Sequence, residues 1–286
     1  VKYQYYPGCS LKGTGKAFEE SILAICDPLG IEIEELKDWN CCGATTYSSI
    51  SELGALALSV RNLAMAERNT GDLVAPCPAC YMTLNKAQHT VEDYPDRRLK
   101  VEEALEAVGM AYKGTGKVRH ILDVLVNDVG FDAIKSRIKS PLDGLKVAPY
   151  YGCLLVRPYA TFDDPVHPVL MDKLLTALGA EVVHYPLKTR CCGGFLTGVL
   201  DEVGPRLVYI LLREAVKRGA EAIAVACPLC QFNLESTQHS ISKEYEKISM
   251  PIVYFTQLLG LAIGLSQKEL GLNRGFTELK QVPART

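Results

Sequence analysis

This sequence lacks a basic excess: 31 Lys and Arg stand against 33 Asp and Glu, a formal net charge of −2. That balance excludes the electrostatic footprint by which a protein holds nucleic acid. No block of like charge and no low-complexity tract interrupts the 286 residues, so no disordered tail is expected. The start, Val1-Lys-Tyr-Gln-Tyr5, has neither the basic region nor the apolar stretch of a secretory signal. The most apolar run, Leu258 to Leu265, is far shorter than the ~20 residues that span a bilayer. No dinucleotide fingerprint and no Cys-x2-Cys-x2-Cys-x3-Cys ferredoxin run occurs. These absences read as a soluble, cytoplasmic protein. Apolar residues, at 48%, suffice for one large core or two ordinary ones.

Cysteine is what the chain has in excess, with eleven residues. Small secreted domains use so many for disulfides, but this chain is neither small nor marked for secretion. The odd count would leave one thiol unpaired, so metal ligation is the better reading. Set Cys26 aside and two groups remain: Cys9, Cys41, Cys42, Cys77, Cys80 and Cys153, Cys191, Cys192, Cys227, Cys230. Their spacings are C-x31-CC-x34-C-x2-C and C-x37-CC-x34-C-x2-C, with the last four cysteines offset by 150. Gly43 and Gly193, Pro78 and Pro228, Leu84 and Leu234, Gln88 and Gln238, and His89 and His239 keep the same offset. Tyr6-Pro-Gly8-Cys9 resembles Tyr150-Tyr-Gly152-Cys153. The chain is an internal duplication.

The elements repeat with the cysteines. Each half should open with a strand ending at Gly-Cys (Lys2–Tyr6; Lys146–Tyr151), followed by a helix (Gly15–Asp27; Pro165–Leu178) and a second strand (Ile31–Glu34; Glu181–Tyr185). The Cys-Cys-Gly loop should lead into a long helix (Ile50–Asn69; Val199–Arg218) and a third strand running into Cys-Pro-x-Cys (Asp72–Ala75; Ala222–Ala226). A closing helix is expected over His120–Asp128 and Phe255–Leu265. Alternating strands and helices predict an α/β class with parallel sheets, and ligands in such sheets bind beyond the carboxyl ends of the strands. Turn signals at Ser140-Pro141 and Asp143-Gly144 put the boundary in Lys135–Gly144, giving domains over residues 1–140 and 145–286.

The cysteine spacing has a mechanical reading. Proline is favoured at the first helical position, so Cys77 and Cys227 should be N-caps and Cys80 and Cys230 third helical residues. The positive helix end then favours thiolate charge. Adjacent cysteines suit a multinuclear centre, and the glycine after them permits close backbone approach. A zinc site takes four ligands and an ordinary iron–sulfur cluster four cysteines, so five matched thiolates per half argue for an unusual iron–sulfur cluster in each. Two zinc sites with spare thiols, or structural disulfides, are the alternatives. Cys26 reads as a buried helix residue. His89 and His239 lie about 13 Å along the helix from its start, too far to share the metal. Gly13-Thr-Gly-Lys16 fails the phosphate-loop pattern at Ser10 and Ala17.

The repeated Cys…Cys-Cys-Gly…Cys-Pro-x-Cys pattern resembles the CCG domain. Two such domains in one chain resemble the B subunit of heterodisulfide reductase, through Tyr5-Tyr-Pro-Gly-Cys9-Ser, Asp38-Trp-Asn-Cys-Cys-Gly43, Pro76-Cys-Pro-Ala-Cys-Tyr81, Ala148-Pro-Tyr-Tyr-Gly-Cys153 and Pro158-Tyr-Ala-Thr-Phe-Asp-Asp-Pro165. The resemblance implies two small Rossmann-like units, each holding a noncubane [4Fe-4S] cluster on its five cysteines. The clusters would face each other across an inter-domain cleft. It implies reduction of the coenzyme M–coenzyme B mixed disulfide to two thiols in methanogenesis, with the S–S bond split between the clusters. Electrons would come from a ferredoxin-like C subunit carrying cubane clusters. That subunit would be fed by a flavin-containing A subunit with a hydrogenase or formate dehydrogenase module, or by a membrane cytochrome.

Such a substrate carries anionic groups and calls for cations. Lys12 and Lys16 follow Cys9, and Arg157, Lys188 and Arg190 flank the ligands of the second half. The last three are the candidates for anion binding. The rival functions are a CCG-type electron-transfer subunit, a reductase of a different disulfide outside methanogens, and a zinc-stabilised scaffold.

Overall fold

The computed structural model describes residues 2–44, 47–68, 72–159, 161–200 and 202–279. In the first half, β1 (Lys2–Tyr5) buries Tyr3 and Tyr5. It leads through α1 (Gly8–Leu11) into α2 (Lys16–Cys26), whose Phe18, Ile22 and Ile25 recur on one buried face. Then follow β2 (Glu32–Glu35), α3 (Tyr47–Ile50), α4 (Glu52–Glu67), β3 (Leu73–Val74), α5 (Pro78–Asp93), α6 (Pro95–Glu106), β4 (Val118–Arg119) and α7 (Ile121–Asp123). A π-helical turn (Val124–Val129) and α8 (Phe131–Lys135) close the half. The second half repeats the order with β5 (Lys146–Tyr150), α9 (Leu170–Ala177), β6 (Glu181–Val182), α10 (Val203–Lys217), β7 (Ala222–Val225), α11 (Pro228–Ser236), α12 (Gln238–Glu244), β8 (Ile252–Tyr254) and α13 (Phe255–Ala262).

The strands form two four-stranded parallel sheets, ordered β2-β1-β3-β4 and β6-β5-β7-β8. The expected α/β class with duplicated parallel units is therefore present. In both sheets the chain steps to one side of the first strand and then to the other, which opens a crevice at the strand ends. Cys9, Cys41, Cys42 and Cys77 follow the carboxyl ends of β1, β2 and β3, and Cys153, Cys191, Cys192 and Cys227 those of β5, β6 and β7.

Several elements differ from expectation. The helix expected over Pro165–Leu178 starts only at Leu170. Pro168 biases His167 away from helical backbone, and Asp163 and Asp164 take up the free amides instead. Asp164 accepts from Val166 and His167 (2.8 and 2.6 Å) and Asp163 from Leu170 (2.9 Å). The helix expected over Ile50–Asn69 is split at Ser51, whose hydroxyl accepts from Gly54 N at 3.1 Å and caps α4; Asn69 lies outside the described residues. The helix expected from Val199 begins at Val203. The closing segment expected over His120–Asp128 is one helical turn followed by the π turn. The fourth strands and α6 lie outside the sequence-based expectation. Two-residue β4 has no alternation to read.

The halves pack into one core. Helix α2 lies on α13 and α1 on α11. Phe18 stacks on Tyr254 with centroids 4.4 Å apart and planes within 5°. The Ser21 and Thr256 hydroxyls meet at 2.6 Å, buried. The amides of Lys139 and Ser140 both donate to the Ala262 carbonyl, at 2.8 and 3.0 Å, so the connecting segment is tied to the second half. Arg274, beyond α13, grips both oxygens of Glu20 on α2 at 2.7 Å.

Candidate metal centres

Each five-cysteine set is built by the same local devices. After β1 the chain turns at Gly8 with φ +64°, and after β5 at Gly152 with φ +73°. A Cβ at Gly8 would stand 2.9 Å from Cys80 Sγ, and one at Gly152 3.3 Å from Cys230 Sγ. Glycine is needed there both for the left-handed backbone and for the room taken by sulfur. The Cys-Cys loops are clamped from the preceding residue: the Tyr6 hydroxyl donates to Asn40 O (2.7 Å) and the Tyr150 hydroxyl to Arg190 O (2.6 Å). The carbonyls of Cys42 and Cys192 accept from Ser59 Oγ (2.6 Å) and Asn233 Nδ2 (2.8 Å). Cys77 and Cys227 are N-caps with extended backbone and proline at the next position, so Cys80 and Cys230 are third helical residues, as the sequence predicts.

Sulfur meets sulfur in both halves. Cys42 Sγ lies 3.3 Å from Cys80 Sγ, and Cys192 Sγ 3.4 Å from Cys230 Sγ. Hydrogen bonds from Cys41 and then Cys80 bring Cys42 down to about 4, and bonds from Cys191 and then Cys230 bring Cys192 to about 3. The donors move the other way: Cys41 and Cys80 are pushed up chiefly by their bonds to Cys42, and Cys191 and Cys230 by theirs to Cys192. Burial raises Cys153, and the bond from Cys80 lowers Cys77. Each half thus has a buried thiolate hub among thiols, the donor chemistry a cationic metal group needs. Cys42, Cys77, Cys80, Cys192, Cys227 and Cys230 are buried, whereas Cys9, Cys41 and Cys191 reach the surface and Cys153 is half-buried. Among the described residues no three Cys, His, Asp or Glu side chains gather where one ion would sit. Cys26, buried in α2, is raised to about 12 by burial and takes no part.

The cations fall unevenly around these sulfurs. Lys188 Nζ is 2.9 Å from Asp172 Oδ1 and sits 5.4 Å over the Tyr151 ring. Arg157 donates to the Thr189 carbonyl. Arg190 is exposed, beside exposed Cys191. Lys12 is held by Glu19 and Glu35 at 2.7 and 2.8 Å. His89 stacks on Tyr159 at 4.3 Å, and His239 is exposed.

The ends of the fourth strands carry two groups that sequence reading missed. The pairing puts Val118 beside Leu73 and Ile252 beside Ile223, so His120 and Tyr254 are equivalents, and each is the N-cap of the next helix. Both are buried. The Leu122 amide donates to His120 Nδ1 (3.1 Å), so Nε2 carries the proton and donates to the carbonyl of Pro76, next to Cys77, at 2.7 Å. Among the described residues the Tyr254 hydroxyl has no hydrogen-bond partner. The two residue types differ and the positions do not keep the offset of 150, so the repeat gives no sign of them.

The cysteine-rich domain (CCG) family matches residues 3–85 and 147–235. Over 284 residues the chain is 33% identical to the 8-methylmenaquinol:fumarate reductase membrane anchor subunit of Wolinella succinogenes, covering 97% of each chain. Over 283 residues it is 33% identical to the B subunit of the ferredoxin/F(420)H(2)-dependent CoB-CoM heterodisulfide reductase of Methanosarcina acetivorans, covering 96% of this chain and 93% of the relative. A hypothetical protein from Helicobacter pylori shares the fold at TM-score 0.75 and 16% identity, over 97% of this chain and 52% of that one. The chain belongs to the CCG family of cysteine-rich proteins, in the two-domain form of the heterodisulfide reductase B subunits. Its named relatives are components of oxidoreductase complexes. No helix among the described residues is long and apolar enough to cross a membrane.

Proposed function

We propose that this chain is the catalytic, cluster-bearing component of a heterodisulfide reductase, reducing the coenzyme M–coenzyme B disulfide to two thiols. The reading rests on one observation: five cysteines with a close sulfur–sulfur contact among them, built twice at strand ends and joined through a shared core. Cys9, Cys41, Cys42, Cys77 and Cys80 would hold one noncubane [4Fe-4S] cluster, and Cys153, Cys191, Cys192, Cys227 and Cys230 the other. Five matched cysteines per half, one more than a zinc site takes, favour a multinuclear group over zinc. When bound, the pair supplies two one-electron stores for a two-electron reduction. The chain's own work is to fix these donors and to bind the substrate's anions. Arg190, exposed beside Cys191, leads the cation candidates; Lys188 and Arg157 already hold Asp172 and Thr189 O. The domains are 1–140 and 145–286, the location is the cytoplasm, and the electron donors are a ferredoxin-like C subunit, a flavin-containing A subunit and a hydrogenase or formate dehydrogenase module.

The test is anaerobic turnover of the mixed disulfide by cluster-loaded protein with an artificial reductant, beside the two symmetric disulfides. Selective cleavage of the mixed disulfide is expected. A second reading is favoured by the equally full-length likeness to a fumarate reductase component: an electron-transfer subunit, or a reductase of another disulfide. Intact clusters without selective turnover would establish it in place of the first.

A further inference from the structure

Tyr254 lies where the two halves meet. In the register of the second sheet it pairs with Val225, two residues before Cys227. Its ring stacks face to face on Phe18 of the first half. The next residue, Phe255, has its ring 6.4 Å from that of His120, and His120 in turn holds the carbonyl before Cys77. Tyr254 is 1% exposed. Its amide is fixed by Gln257 Oε1 at 2.9 Å, so the side chain is held from both ends. After burial itself, the groups that raise its hydroxyl are Cys227, Cys77 and Cys230, which together belong to both cysteine sets, and Glu235.

Leaving a buried hydroxyl without a partner is unfavourable, because its lost hydration is not replaced. The equivalent His120 satisfies both of its nitrogens, so the position itself does not force an unmet donor. The Glu235 carboxylate is engaged by the Phe276 and Thr277 amides at 2.7 and 3.0 Å and by Gln231. Among the described residues no atom, cysteine sulfur included, accepts from the Tyr254 hydroxyl, which leaves the sulfide of a bound cluster as the acceptor it would meet.

We propose that the Tyr254 hydroxyl is a shared hydrogen-bond donor to sulfur at the seam of the two centres, and so sets the reduction potentials of both. It is a positioning residue, and the inference rests on the reading of the cysteine sets as iron–sulfur sites. A donor aimed at cluster or ligand sulfur stabilises the electron-richer state and raises the potential. One substitution in the second half should therefore alter a centre in the first.

The experiment is a spectroscopically monitored redox titration of the cluster-loaded full chain, comparing Tyr254→Phe with the parent. Tyr185→Phe serves as control, since that hydroxyl already donates to Leu211 O at 2.9 Å and has no proton left for sulfur. Phenylalanine keeps the stack on Phe18. We expect both midpoints to fall in Tyr254→Phe. The more affected centre should shift by about tenfold in its reduction equilibrium, about 59 mV for one electron, with iron and sulfide content unchanged and Tyr185→Phe silent. Unchanged midpoints, a shift at one centre only, or an equal shift in Tyr185→Phe would overturn the proposal while leaving the iron–sulfur reading intact. A parent chain that loads no iron and sulfide would take down both.

Discussion

Gly8 answers to two constraints at once, and Gly152 to the same two less severely. Either alanine would meet the left-handed backbone penalty of about 1–2 kcal/mol, but only Gly8→Ala would put a carbon 2.9 Å from the Cys80 sulfur. Gly8→Ala should strip iron from the first site and spare the second, whereas Gly152→Ala, with 3.3 Å to Cys230, should load both sites more weakly than the parent but measurably. Iron and sulfide assays per chain decide it. Cys26→Ala should leave the iron content untouched and cost about 1 kcal/mol in denaturant unfolding, since its thiol is buried in α2 away from both sets. His120 gives a pH signature. Burial lowers it from 6.5 to about 4, so between those values the unfolded chain takes up a proton that the folded chain refuses. Stability should be full above about 6.5 and fall as pH drops toward 4, by an amount on the order of 3 kcal/mol. His120→Asn should flatten that fall in urea midpoints measured across the window; an unchanged slope would assign it to other groups.

At the scale of elements, the repeat makes the cysteine scaffold legible and leaves the fourth strands hidden. The first three strands of each half are announced by Gly-Cys, by a glycine turn and by Cys-Pro-x-Cys. β4 and β8 are two and three residues long and carry no cysteine. Their marker is present in the sequence but reads there only as part of the repeat: Gln88 and Gln238 recur at the offset of 150. Gln88 Nε2 donates to Gly116 O at 2.7 Å, just before β4, and Gln238 exchanges two bonds with Met250 (2.9 and 2.8 Å), just before β8. Each glutamine ties the Cys-Pro-x-Cys half of the fold to the last strand of its sheet. Gln238→Leu should leave the Met250 amide and carbonyl unpaired, at about 1–3 kcal/mol each, and should raise hydrogen exchange at Ile252–Tyr254 before other strands. His89 and His239 repeat as faithfully as the glutamines yet do unlike things, one stacked on Tyr159 and one exposed, so repetition alone does not separate a structural tie from an inherited surface residue. The expected helix starts at Pro165, a favoured first helical residue, but Pro168 disfavours helical backbone at His167. The carboxylate-capped turns over 165–169 depend on where Asp163 and Asp164 point, which pattern does not encode.

The whole molecule is two similar sheets that have stopped being separate. The Phe18–Tyr254 stack, the buried Ser21–Thr256 pair and the anchoring of Lys139 and Ser140 on Ala262 make the halves one core, so thermal unfolding should be a single transition with calorimetric and van't Hoff enthalpies that agree. Two resolved transitions would show that the halves fold independently. The seam also bears on ancestry. A protein assembled from two identical copies about a twofold axis must place the same residue on both sides of that axis. A homodimeric ancestor could present two histidines or two tyrosines at the ends of its fourth strands, never one of each. Joining the copies in a single chain removed that bond of symmetry, and His120 facing the role of Tyr254 is what a fused gene could reach and a paired one could not.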